Sequence, residues 1–98
     1  MTLNEKQRKH LRGLAHALKP VVFIGKAGTS DAVAAEVVQA LKDHELIKVR
    51  VTGMEREARD EALESLATRT GSELVGRIGH VATLYRRNPE KTRIVLPA

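Results

Sequence analysis

Residues 23–33 read FIGKAGTSDAV. Val21 to Ile24 form a continuous apolar run rich in β-branched residues, which reads as a buried strand. Gly25 to Gly28 turn the chain. Ser30 is a favoured helix N-cap, and Asp31 sits in the first turn, where the helix dipole favours a negative charge. Strand, glycine loop and helix in this order point to an α/β chain. The stretch carries the ingredients of a nucleotide-binding P-loop in the wrong order. A P-loop places Lys directly after its second glycine and Ser or Thr after the Lys. Here Lys26 precedes Gly28, and no glycine lies upstream at the required distance.

Working outward, Thr2-x-x-Glu5 reads as a capping box, with a helix starting near Leu3. Leu11, Leu14, Ala15 and Leu18 follow the spacing of an apolar helix face, and Pro20 is expected to end that helix. Val33, Val37, Ala40 and Leu41 give the second helix its apolar face. LIKVRVT, residues 46–52, alternates strictly. Ile47, Val49 and Val51 face one side and Lys48 and Arg50 the other, so this strand has one wet, basic face. Residues 55–70 form a third helix with Ala58, Ala62, Leu63, Leu66 and Ala67 inward and Gly71 as its C-terminal stop. ELVGRI and VATLYRR are two strands joined by Gly79-His80, a hairpin turn with glycine first, as type II′ requires. RIVLP, 93–97, is expected to add a short edge strand.

The element order is α-β-α-β-α-β-β. It predicts an α/β chain of the two-layer α+β kind, with a four-stranded mixed sheet and helices packed on it. The 98 residues suit one domain, 1–98, with one modest core. There is no linker or internal repeat. No apolar run is long enough to span a membrane, and the polar start MTLNEKQRKHLRG reads as no secretory signal. Cysteine is absent, which removes thiol chemistry and Cys-ligated zinc and fits a cytosolic protein. The four His residues are scattered, so no metal and no cofactor are expected.

The formal net charge of +5 favours a polyanionic partner, nucleic acid before membrane. One Tyr and one Phe are too few for rows of stacking aromatics. A helix N-terminus with glycines ahead of it attracts phosphate, and Gly25, Lys26, Ala27 and Gly28 resemble the Gly-x-x-Gly clamp of KH domains. A tight turn explains the same two glycines. On the first helix Arg8, Arg12 and Lys19 fall on one flank, with Lys9 and His16 just beyond. Arg8 and Arg12 are like charges at i, i+4, a spacing that points to an anionic ligand unless the face is simply solvated. Lys48 and Arg50, with Arg77, Arg86 and Arg87 on the hairpin, extend this basic surface if no helix covers it. The third helix mixes acids and bases, as a solvated face does. No nucleophile, base and acid stand together, so no enzyme is expected.

LNEKQRKHLRGLAHALKPVVFIGKAGTSDAV, ALKDHELIKVRV, TGSELVGRIGHVATLYRR and IVLP together resemble the YhbY family. Its members are small bacterial proteins built of one CRM (chloroplast RNA splicing and ribosome maturation) domain. The resemblance runs from about Leu3 to Pro97. It implies a fold like the C-terminal domain of translation initiation factor three, and RNA binding. It also implies an association with precursors of the large (50S) ribosomal subunit. By this resemblance Gly25–Gly28 form the RNA-contacting loop, and the basic residues of the first helix, Arg8, Lys9, Arg12 and Lys19, match the family's basic surface; Lys48 and Arg50 are candidates from their own wet strand face. Thr29 replaces a more usual Leu, and His80 a more usual Lys. A monomeric, cytoplasmic binder of ribosomal RNA is the reading this favours. A module docking on ribosomal proteins, a DNA binder, and a small enzyme using the loop as an anion site are the rivals.

Overall fold

The computed structural model describes residues 2–98. Its elements are α1 (Glu5–Ala15), β1 (Pro20–Ile24), α2 (Asp31–His44), β2 (Leu46–Val51), α3 (Arg56–Thr70), β3 (Glu73–Ile78) and β4 (Val81–Tyr85). The sheet order is β1-β2-β4-β3. β1 and β2 are parallel, and β4 pairs antiparallel with both β2 and β3. The expected element order and the four-stranded mixed sheet are thus both present.

α2 and α3 cover one face of the sheet. Val37, Leu41, Leu63 and Leu66 meet Val22, Ile24, Ile47, Val49 and Leu84 in the main core. α1 lies on the other face. There Leu11 and Ala15 close over Leu46, Val75 and Tyr85, with Ile94 and Leu96 packed alongside. The chain therefore has two apolar layers, the second smaller and covering only part of its sheet face.

Several local expectations need correction. The N-cap of α1 is Asn4, not Thr2. Asn4 Oδ1 accepts from the Gln7 amide at 2.8 Å, and Gln7 Oε1 accepts from the Asn4 amide at 3.0 Å. This is a capping box two residues later than expected. α1 stops at Ala15, so Leu18 and Lys19 lie beyond the helix, and Pro20 opens β1 instead of ending α1. Leu14 is 43 % exposed. The run Val21–Ile24 is buried on one face only: Val22 and Ile24 point into the core, while Phe23 is 66 % exposed. β1 is an edge strand, and α1 does not reach over it. On α3 the inward position belongs to Arg59, and Ala58 faces solvent. Arg59 donates to His80 Nδ1 at 3.2 Å, tying the hairpin turn to the helix.

RIVLP is no strand. Its backbone turns instead toward Glu45, the residue that follows α2. The Glu45 side chain is fully buried. Its carboxylate accepts from the Asn88 and Ile94 amides, each at 2.9 Å, and from the Arg93 amide. The Glu45 carbonyl also accepts from the Arg86 amide at 2.9 Å. At the other end of the tail, Gln7 Nε2 donates to the Pro97 carbonyl at 3.0 Å.

Tyr85 is the chain's one tyrosine and is buried in the smaller core. Burial raises its phenol pKa, Glu45 raises it further, and Arg87 opposes them. A raised folded pKa stabilises the fold below the unfolded value and is lost as pH rises through the folded one. Ultraviolet titration should therefore show Tyr85 ionising above about 10, with the unfolded chain in urea titrating near 10. Stability should fall above that pH. A native midpoint at or below the unfolded one would contradict the packing described here.

Candidate nucleic-acid interface

The glycine loop forms a tight turn in which the Gly28 amide donates to the Gly25 carbonyl at 3.0 Å. That amide is used by the turn and is not available to a ligand. The amides of Lys26 and Ala27 make no hydrogen bond within the described residues, and both residues are exposed. Ser30 caps α2 as expected, its Oγ accepting from the Val33 amide at 3.1 Å. The loop leans on the segment after β2. A Cβ at Gly53 would come within 3.1 to 3.3 Å of Lys26 Cβ, N and Cα, and Gly53 has a φ of +77°. Glycine there lets the two loops touch. Thr29 is half-buried. Its carbonyl accepts from Arg69 at 3.3 Å, while its hydroxyl has no partner among the described residues.

Arg8 and Arg12 do not point to solvent as a free pair. Arg8 donates to the Leu74 carbonyl at 3.0 Å and pairs with Glu73 at 3.1 Å. Arg12 donates to the Val75 carbonyl at 3.1 Å and pairs with Glu5 at 2.6 Å. The register of β3 against β4 shifts between Leu74 and Gly76, a bulge that interrupts the ladder. Arg12 crosses the strand there, and a Cβ at Gly76 would meet its Cδ at 3.0 Å. The i, i+4 arginines that looked like an anion site thus fasten α1 to the bulge of β3.

This yields a separable expectation. Arg8→Ala and Arg12→Ala should each lower stability by about 1 kcal/mol, since each removes a charged donor from a backbone carbonyl. The exposed ion pairs add little. Urea unfolding measures this, and unchanged midpoints would show that the two arginines do not hold the helix.

The other cations are differently placed. Among the described residues Lys9, Lys19, Lys26, Lys48 and Arg50 have no acidic partner. Lys9 stands on the outer side of α1, and Lys19 just ahead of β1. Lys48 and Arg50 lie on the sheet face that α1 shares, with Arg50 exposed and Lys48 half-buried. β1, β2 and β4 carry no acid at all, whereas α2 and α3 hold seven of the twelve acidic residues. The α2–α3 layer is therefore net acidic, with seven acids against four Lys and Arg, while the opposite face and its glycine loop carry Lys26, Lys48 and Arg50 with no acidic neighbour among the described residues.

Arg77 does not join this face. It pairs with Asp60 of α3 at 3.0 Å and donates to the Gly79 carbonyl at 3.0 Å. Arg86 donates to the Thr70 carbonyl at 3.2 Å. Among the described residues no group of His, Asp or Glu gathers as a metal site, and no helix is long and apolar enough to cross a membrane.

A small α+β domain with a glycine loop between its first strand and second helix, and a cationic sheet face beside it, is built to meet a polyanion. The sequence model of the CRS1 / YhbY (CRM) domain matches residues 3–86, and the chain belongs to that family. It is 44 % identical over 96 residues to an RNA-binding protein of Haemophilus influenzae, covering 98 % of this chain and 96 % of the relative. It is 37 % identical over 95 residues to the Bacillus subtilis protein YqeI, named a probable RNA-binding protein, covering 97 % of this chain and 99 % of the relative. The solution structure of SAV1595 from Staphylococcus aureus superposes with a TM-score of 0.85 at 38 % identity, covering 98 % of this chain and all of that one. These relatives bear the names of RNA-binding proteins, not of enzymes.

Proposed function

We propose that the protein is an RNA-binding domain, residues 1–98, that grips the sugar–phosphate backbone and assists assembly of the large ribosomal subunit in the cytoplasm, as a monomer. The observation that carries this reading is the free cation set beside the glycine loop. Among the described residues Lys26, Lys48 and Arg50 have no acidic partner, and the amides of Lys26 and Ala27 are unused. The relatives' names support RNA over DNA.

The mechanism is electrostatic. A phosphate oxygen accepts from the Lys26 and Ala27 amides, while Gly25 and Gly28 keep the loop compact. Lys26, Lys48 and Arg50 neutralise successive phosphates and release counterions, and Lys9 and Lys19 widen the field. Arg8 and Arg12 act through the helix they hold in place.

Binding to large-subunit ribosomal RNA across a salt series tests this. With four to six phosphates neutralised, log K should fall against log[salt] with a slope of about −3 to −5. A flat salt dependence would refute the mechanism. Equal competition by duplex DNA would refute RNA preference. Co-sedimentation with ribosomal particles without affinity for bare RNA would favour docking on a protein.

A further inference from the structure

We infer that the open end of the sheet is a stacking platform for an unpaired nucleobase, with the ring of Phe23 as its floor. This rests on the RNA-binding reading above and makes it more specific: the ligand is single-stranded, and its bases are touched as well as its phosphates. The pairing register places Phe23 beside Arg50, Arg50 beside Val81, and Val81 beside Ile78. These four residues form one row across all four strands, on the face opposite the main core. Neighbouring strands lie about 4.8 Å apart, so the row is about 14 Å long. α1 leaves it uncovered: Phe23 is 66 % exposed and Ile78 78 % exposed.

The chemistry of the row selects its occupant. Arg50 stands next to the ring within the row. Lys48 follows on the same face, and Lys26 stands on the loop three residues after Phe23. A base laid on the ring places its own phosphates among these cations, which is how single strands are held. An apolar protein surface would instead bury Arg50 at the centre of the contact without a counter-charge, which is unfavourable. Duplex RNA keeps its bases inside the stack, so a loop, bulge or free end is what fits. The space above Gly25 is open, with no atom within 4 Å of where a Cβ would stand, so a strand leaving the ring can run on to the free loop amides.

The test uses the intact protein and a Phe23→Trp variant. The chain has no tryptophan, so the new indole reports only this site. Three ligands of equal length are titrated at one salt concentration: a single-stranded oligouridylate, an abasic ribose–phosphate strand, and a blunt RNA duplex. The oligouridylate should quench the tryptophan strongly, and the abasic strand should not. Phe23→Ala should weaken oligouridylate binding about 5- to 150-fold while leaving abasic binding and the salt slope unchanged. Phe23→Leu keeps the apolar bulk without the ring and should behave like Phe23→Ala. If both variants bind the oligouridylate as wild type does, or if the abasic strand binds wild type equally well, the platform is refuted and backbone binding stands. If none of the three ligands binds the wild type, the RNA-binding reading falls with it.

Discussion

Glu45→Ala should lower the stability of the fold by about 3 kcal/mol or more, the largest loss expected from any single truncation of a polar side chain here. Three backbone amides, of Asn88, Arg93 and Ile94, converge on this one buried carboxylate. Removing it leaves those amides without their acceptor and opens the cover that Ile94 and Leu96 place over the smaller core. Glu45 also has a φ of +63°, a backbone region that side chains other than glycine seldom occupy. The surrounding bonds are what hold it there. Glu45→Gln keeps one oxygen for Arg93 and Ile94 but turns an NH₂ toward a donor, so it should fall between wild type and Glu45→Ala. Urea denaturation gives the order directly. A Glu45→Ala midpoint within error of wild type would mean that the tail does not depend on this carboxylate.

Replacing Lys26, Lys48 and Arg50 together with glutamine should have the largest effect on binding. Each cation that neutralises a phosphate of a single strand contributes about 0.7 to the salt slope. The triple variant should therefore have a slope shallower by about 2, and bind RNA about 100-fold more weakly at 0.1 M salt. Its stability should be nearly unchanged, because none of the three side chains has an acidic partner among the described residues. The Arg8→Ala, Arg12→Ala double variant should show the reverse pattern, with lower stability and a preserved slope. If the two variants exchanged these behaviours, the cations that hold the fold and those that face the ligand would have been assigned the wrong way round.

Regular spacing made most of the fold legible. The alternation of residues 46–52, the glycine-first hairpin turn and Ser30 as N-cap each depend on local chemistry, and each stands as read. What was hidden depends on contacts between distant residues. Phe23 looked buried because an apolar run does not show whether both faces of a strand are covered, and only the placement of α1 decides that. Arg8 and Arg12 looked like a ligand site because their true acceptors are carbonyls exposed by an irregularity in β3, more than sixty residues away. Glu45 gave no signal, since its partners are backbone amides that leave no trace in residue type. The bulky residues 93–97 carry a strand's composition, yet their backbone is taken by that carboxylate. For the interface, Lys26, Lys48 and Arg50 were visible as charges. That they lack acidic neighbours became clear only from the fold.

The hydrogen bond from Gln7 to Pro97 brings the first helix and the last residues to one spot, at the end of the sheet where β3 begins. The glycine loop follows β1 at the opposite end. The two ends of the sheet thus divide their tasks: one anchors the tail against α1, and the other is left to the loop, so a change in the tail's anchorage acts far from the loop amides.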